Sequence, residues 1–173
     1  MTRRLSLGAV VVVAAVLVTG CGAGSSHPLT AKEKKAAHSI ATSFQLGGMT
    51  AREATCVADK WVAAVGAPKL VSAGVLTASL QMDPKNQKSP KPALVKPYAD
   101  AYFGCVDYGR LEAVKFDQVR PHTINDKDFA ACANKINQAD AKQALVDDLL
   151  QRSTKVAADV QHQLLVCAGE LGR

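Results

Sequence analysis

Thr50-Ala51-Arg52-Glu53-Ala54-Thr55-Cys56-Val57-Ala58-Asp59-Lys60-Trp61-Val62-Ala63-Ala64-Val65-Gly66 is the stretch that decides the fold. A threonine followed three residues later by glutamate forms a capping box. The hydroxyl accepts from a backbone N–H of the first helical turn, and the carboxylate reaches back to the N–H of the cap. Val57, Trp61 and Val65 then recur at helical spacing, flanked by Ala54, Ala58 and Val62, so the apolar groups share one face. Gly66 suits the residue just past a helix end. The stretch predicts a helix with a cysteine in its second turn. At about 100° per residue, Cys56 falls opposite the Val57/Trp61/Val65 stripe, beside Asp59 and Lys60. Three arrangements accommodate it: a helix covered on both sides, a different phase, or an exposed bridge to a segment crossing over it.

Working outward, Thr30-Ala31-Lys32-Glu33 is another capping box. It predicts a helix to about Leu46, closed by Gly47-Gly48, with Ile40 and Phe44 on one face. Downstream, Pro68 can open a short helix through Leu70-Val71 toward Leu76, with Gly74 as a stop. Residues 81–97 change character: four prolines alternate with Lys85, Lys88, Lys91 and Lys96, which predicts a basic, proline-broken loop. Those lysines are candidate contacts to anionic lipid head groups or wall polymer. Helical spacing resumes from Tyr98 to about Phe116, with Tyr98, Tyr102 and Cys105 on one face. Asn125 or Asp126 can cap a helix through Phe129, Cys132, Ile136 and Ala139. Asp140 can cap the next, and a last helix from about Ser153 carries Val156, Val160, Leu164, Cys167 and Leu171.

The two halves rhyme. Thr50 to Cys56 aligns with Asp126 to Cys132, and Tyr102-Phe103-Gly104-Cys105 with Leu164-Leu165-Val166-Cys167. The expected fold is an all-α, disulfide-stapled helical bundle over 30–173, built of two pseudo-repeated units at 49–116 and 125–173. Four cysteines allow three pairings. The repeat favours Cys56 with Cys105 and Cys132 with Cys167, one staple per unit. No two cysteines have zinc-ligand or Cys-x-x-Cys spacing, so neither a metal nor a redox site is expected.

The N-terminus reads as an address. Arg3 and Arg4 precede an uncharged run from Leu7 to Val18, of signal-peptide length and short for a membrane span. The pair lacks the large residue usual two places after a twin-arginine motif, so general secretory export is expected. Val18-Thr19-Gly20-Cys21 closes the run. This resembles the lipobox of bacterial lipoproteins at every position. The resemblance implies that 1–20 is a signal peptide and that Cys21 is diacylglyceryl-modified and becomes the first residue. Residues 21–29 would then form a short flexible tether. One lipid-bearing cysteine and two bridges account for all five cysteines. Export also places the four remaining ones where disulfides persist.

Cys56-Val57-Ala58-Asp59-Lys60-Trp61-Val62, the later Cys105-Val106-Asp107 and the two further cysteines resemble a loose group of small actinobacterial exported proteins and lipoproteins. The resemblance implies a helical extracytoplasmic domain and assigns no activity.

The chain carries a formal charge of +6, and about +4 without Arg3 and Arg4. That suits an anionic membrane surface. It is too diffuse for nucleic acid, and aromatic residues are only 5%. His38, His122 and His162 read as surface histidines rather than general bases. No nucleophile elbow, phosphate loop or metalloprotease motif occurs. Trp61, Tyr98, Tyr102 and Tyr108 fit a core better than a ligand pocket. The expected function is that of a non-catalytic interaction or accessory domain, lipid-anchored on the extracytoplasmic face of the cell membrane, needing no cofactor. Its partner would be an envelope protein or ligand. The rivals are a carrier of a small apolar ligand or lipid and, third, an envelope hydrolase.

Overall fold

The computed structural model describes residues 28–82, 91–120 and 124–170. Cys21, His27, Lys85, Lys88, His122 and Leu171 lie outside them. Among the described residues the chain is all-helical: α1 (Ala31–Leu46), α2 (Ala51–Val65), α3 (Ala67–Ser72), α4 (Pro92–Phe103), α5 (Tyr108–Val119), α6 (Asp126–Ala133), α7 (Gln138–Leu149) and α8 (Lys155–Cys167).

Both capping boxes form. Glu33 accepts from the Thr30 N–H at 2.9 Å, and Glu53 accepts from the Thr50 N–H at 2.9 Å. Residues 47–50 join α1 and α2 into an antiparallel hairpin packed along its length. Its seam is small and fully buried: Ala36, Ile40, Ala54, Val57, Ala58 and Val62 are all 0% exposed. Alanines let the two backbones approach closely, and Leu70 of α3 closes one end of the same core.

The α3 helix ends at Ser72, and Gly74 follows its cap at φ +78°, the stop expected there. Residues 76–82 fold back on themselves through a Leu76–Met82 bridge, and the Met82 N–H donates to Ser39 Oγ of α1 at 2.9 Å. Three expectations are corrected. The predicted loop at 81–97 ends early, because α4 begins at Pro92. Proline is tolerated at the first helical position, where its N–H has no partner to lose. Pro97, further in, removes the bond to the Ala93 carbonyl; Ala93 is exposed, so water can take that acceptor. Burial of Leu94, Val95, Ala99 and Tyr102 offsets the loss. Lys91 is therefore the α4 cap residue and Lys96 lies on the helix.

The single helix expected from Tyr98 to Phe116 is two. A turn at Gly104–Val106 separates α4 from α5, and Asp107 caps α5 by accepting the Arg110 N–H at 3.1 Å. Cys105 lies in that turn. Finally, α6 ends at Ala133. Asn137, not Asp140, caps α7, its Oδ1 accepting the Ala139 N–H at 2.9 Å and the Asp140 N–H at 3.3 Å. Thr154 caps α8.

The disulfides are Cys56–Cys105 and Cys132–Cys167, with Cα separations of 5.7 and 5.6 Å. Each closes three consecutive helices, α2–α3–α4 and α6–α7–α8. The segments differ in proportion: α2 has 15 residues against 8 in α6, and α3 has 6 against 12 in α7. The position of Cys56 is also explained. The phase of α2 is as read from the sequence, and Cys56, opposite the stripe, is nevertheless half-buried. The α4–α5 turn crosses over it, where the Lys60 ammonium donates to the Gly104 carbonyl at 3.3 Å.

Beyond the α1–α4 core, α7 packs along α4 and α8, while α5 and α6 lie together with α8. Ile136, Ala141, Ala144 and Val160 fill the α7–α8 seam. Ala113, Phe129 and Ala133 fill the α5–α6 seam. The latter contact is close enough to require glycine: a Cβ on Gly109 would stand 2.2 Å from the Ala130 carbonyl oxygen.

Candidate functional site

Three features concentrate chemistry: an apolar cleft, a mixed cleft and a buried polar network. The apolar cleft has a volume of about 230 Å³. Phe44 of α1, Trp61 of α2, Val75 and Met82 of the 73–82 segment, Tyr98 of α4 and Leu149 of α7 face it. Its aromatic wall is ordered by ring contacts, Trp61 to Tyr98 at 5.0 Å edge-on and Phe44 to Tyr98 at 5.7 Å. The Trp61 indole N–H is occupied, donating to the Leu94 carbonyl at 3.1 Å. Burial pushes the Tyr98 phenol up to about 12, so it stays a neutral donor at any physiological pH.

The mixed cleft, about 290 Å³, lies between α4–α5 and α7–α8. Tyr102, Tyr108, Glu112 and Lys115 line one side, and Ala141, Asp148, Val160 and Gln161 the other. The Lys115 ammonium donates to Glu112 at 2.6 Å and stands 5.7 Å from the Tyr102 ring centre. Burial, with the Glu112 charge second, drives the Tyr102 phenol far upward, and the same two causes raise Tyr108.

The polar network ties the α1–α2 hairpin to the rest. One Glu53 oxygen accepts from the Thr50 N–H, the Thr50 hydroxyl and the Arg110 guanidinium; the other accepts the Asp107 N–H at 3.1 Å. Burial would raise the Glu53 pKa, but the Thr50 and Asp107 hydrogen bonds and the Arg110 charge outweigh it and hold the carboxyl below its ordinary value. Asp107 accepts from the Arg110 N–H and from the Asn134 amide at 3.0 Å, and these bonds lower its pKa too. Asn134 accepts the Gly109 N–H at 2.8 Å. The network therefore spans α2, the α4–α5 turn and the end of α6, next to the Cys56–Cys105 bridge. It orders the fold and opens onto neither cleft centre.

Of the residues singled out in the sequence, Trp61 and Tyr98 meet at the apolar cleft, while Tyr102 and Tyr108 border the mixed one. His38 and His162 are exposed, and neither side chain has a hydrogen-bond or ion-pair partner among the described residues. The histidine–carboxylate pair that a hydrolase would need is not formed by them. Among the described residues no group of three histidine, cysteine or acidic side chains could hold a metal. Phe44, Met82 and Leu149 were not signalled as cleft residues, since only tertiary packing brings them together. Glu53 was read as a local cap; nothing in the sequence showed Asp107 and Arg110 completing its shell.

No family model matches the chain. No curated protein or solved structure matches it either. Among the described residues no helix is long and apolar enough to cross a membrane.

Proposed function

We propose that this chain is a lipid-anchored extracytoplasmic lipoprotein of the bacterial cell envelope, whose stapled helical domain serves as a non-catalytic interaction or accessory module. The observation that carries the reading is the distribution of cysteines. Two bridges use Cys56, Cys105, Cys132 and Cys167, and the fifth cysteine is Cys21 of the lipobox. Disulfides persist in oxidising compartments, so the bridges and the leader support the same destination. Two acyl chains on Cys21 anchor stably where one chain gives only marginal binding. The test is incorporation of an alkyne-tagged fatty acid by cells expressing the full chain. Label is expected on the wild type and absent from Cys21→Ser. Equal label on both, or on neither, removes the anchor. For the accessory role, crosslinking in intact cells is expected to give a discrete adduct, and its repeated absence counts against that role.

A second reading, carriage of a small apolar ligand, has the Trp61/Tyr98 cleft in its favour. At about 230 Å³ the cleft is below the usual range for drug-sized ligands, roughly 300–1,000 Å³, so it stands second. A medium-chain fluorescent fatty acid whose binding is unchanged by Val75→Trp would dismiss it.

A further inference from the structure

Several directions converge on one end of the molecule. The α1–α2 hairpin puts the start of α1 beside the end of α2. The Trp61–Leu94 hydrogen bond puts the first turn of α4 beside the last turns of α2, and the Cys56–Cys105 bridge puts the end of α4 near the start of α2. So α4 runs antiparallel to α2 and parallel to α1. The beginning of α1, all of α3 and the beginning of α4 thus share one end, and Pro28, the first described residue, lies there.

That end is basic. Lys32, Lys34 and Lys35 of α1, Lys69 of α3, and Lys91 and Lys96 of α4 are all exposed. None of the six is held in an ion pair among the described residues. Among the described residues the acids there are Glu33, engaged with Thr30; Asp147 at the end of α7, buried and accepting from Gln143 and Thr154; Asp148 beside it, with Arg152 just beyond; and Asp159 of α8, paired with Lys155. The opposite end is mixed in sign, with Asp126, Lys127, Asp128 and Lys135 exposed on and beside α6 and the Glu53–Arg110 pair between α2 and α5.

We infer that the end formed by Lys32, Lys34, Lys35, Lys69, Lys91 and Lys96 is a docking face for anionic phospholipid head groups of the membrane that holds Cys21. This rests on the lipid-anchor reading and adds the orientation of the domain. Two arguments select the occupant. The first is length: Cys21 to Pro28 is seven residues, at most about 25 Å fully extended, so an anchored Cys21 keeps the start of α1 near the bilayer. The second is charge: six exposed lysines at that end, in no ion pair among the described residues, suit a surface whose field acts over about 8–10 Å. The domain would stand with this end down and with α5, α6 and the Glu53 network turned outward.

The test uses the full lipidated protein, purified from membranes and reconstituted in vesicles of phosphatidylcholine alone or with one-third phosphatidylglycerol. Each sample is floated, the mass of the Cys21 peptide is read, and amine-labelling rates are measured lysine by lysine. A lysine held with the strength typical of such contacts, about 1 kcal/mol, is engaged about five times as often as it is free, so its labelling falls about sixfold. That drop is expected at the six lysines in phosphatidylglycerol vesicles only, with Lys127 and Lys135 unchanged and with reversal in high salt. The triple variant Lys32→Gln/Lys34→Gln/Lys35→Gln should weaken protection of Lys69, Lys91 and Lys96. Flotation in both vesicles with equal labelling at both ends overturns the docking face and leaves the anchor standing. A Cys21 peptide without lipid, in protein that does not float, overturns both.

Discussion

Gly109 offers the sharpest structural test, because its replacement has only one place to put an extra carbon. A Cβ there would lie 2.2 Å from the Ala130 carbonyl oxygen, 2.9 Å from the Ala130 carbonyl carbon and 2.8 Å from Asn134 Cγ. Two of these atoms are backbone and the third belongs to a side chain held by Asp107 and by Gly109 itself, so no rotamer relieves the overlap. Normal contact requires α5 and α6 to separate by about 1 Å or more. That opens the Ala113/Phe129/Ala133 seam and breaks the 2.8 Å bond from the Gly109 N–H to Asn134. Overpacking of this kind costs about 1–3 kcal/mol, and the backbone contact puts Gly109→Ala at the upper end, about 3 kcal/mol. For a domain of this size that is a fall in Tm of roughly 10 °C. Gly47→Ala is the control: its φ is −85°, and its Cβ would meet only the Phe44 carbonyl at 3.4 Å. It should be neutral or stabilise by about 0.5 kcal/mol through the unfolded chain. The assay is thermal and urea unfolding with the disulfides intact. A Gly109→Ala protein melting within about 2 °C of the wild type would refute the close α5–α6 approach.

Glu53→Gln keeps the shape but removes the charge from a group accepting four hydrogen bonds, and is expected to cost about 2 kcal/mol in urea unfolding. Glu53 and Asp107 both have lowered folded pKa values, so their contribution is present above the unfolded value near pH 4 and is lost as pH falls through the folded values. The wild type should lose stability steeply below about pH 4, and Glu53→Gln less steeply; parallel acid limbs would contradict the network. All three tyrosines are raised, Tyr98 to about 12. The unfolded chain releases those protons first, so stability is full below about pH 10 and falls above it. Tyrosinate absorbance should remain near baseline to about pH 11 in the folded protein while a urea-unfolded sample titrates near pH 10, and an ordinary folded-state curve would show that these phenols are not buried. Cys132→Ser/Cys167→Ser opens a 35-residue closure and should cost about 4 kcal/mol on the chain-entropy account, read as a lower urea midpoint.

What could be read from the sequence was what is local or periodic. The Thr30/Glu33 and Thr50/Glu53 boxes act within three residues, and the α2 stripe repeats at one spacing. The cysteine pairs followed from the rhyme between the two halves, which needs no geometry. The misreadings came from residues whose meaning depends on position. Pro92 reads as a breaker in sequence, yet at the first position of a helix it loses nothing. Asp107 and Asn137 were passed over as caps because flanking apolar residues continued the helical spacing on both sides of each turn. Cys56 looked misplaced because a stripe shows what a helix buries against its neighbours, not which turn crosses above it. The clefts and the Glu53–Asp107–Asn134 network join segments more than twenty-five residues apart, and no local pattern encodes such a meeting.

Four cysteines hold the fold in two bridges, and the fifth, Cys21, is proposed to hold lipid. Peptide mapping by mass spectrometry, on protein extracted from membranes without reduction, tests this assignment directly. Expected are an N-terminal peptide beginning at Cys21 with the mass of a diacylglyceryl group, together with the linked peptides Cys56–Cys105 and Cys132–Cys167. A Cys21 found as a free thiol or in a disulfide, or any other pairing of the four, would contradict it.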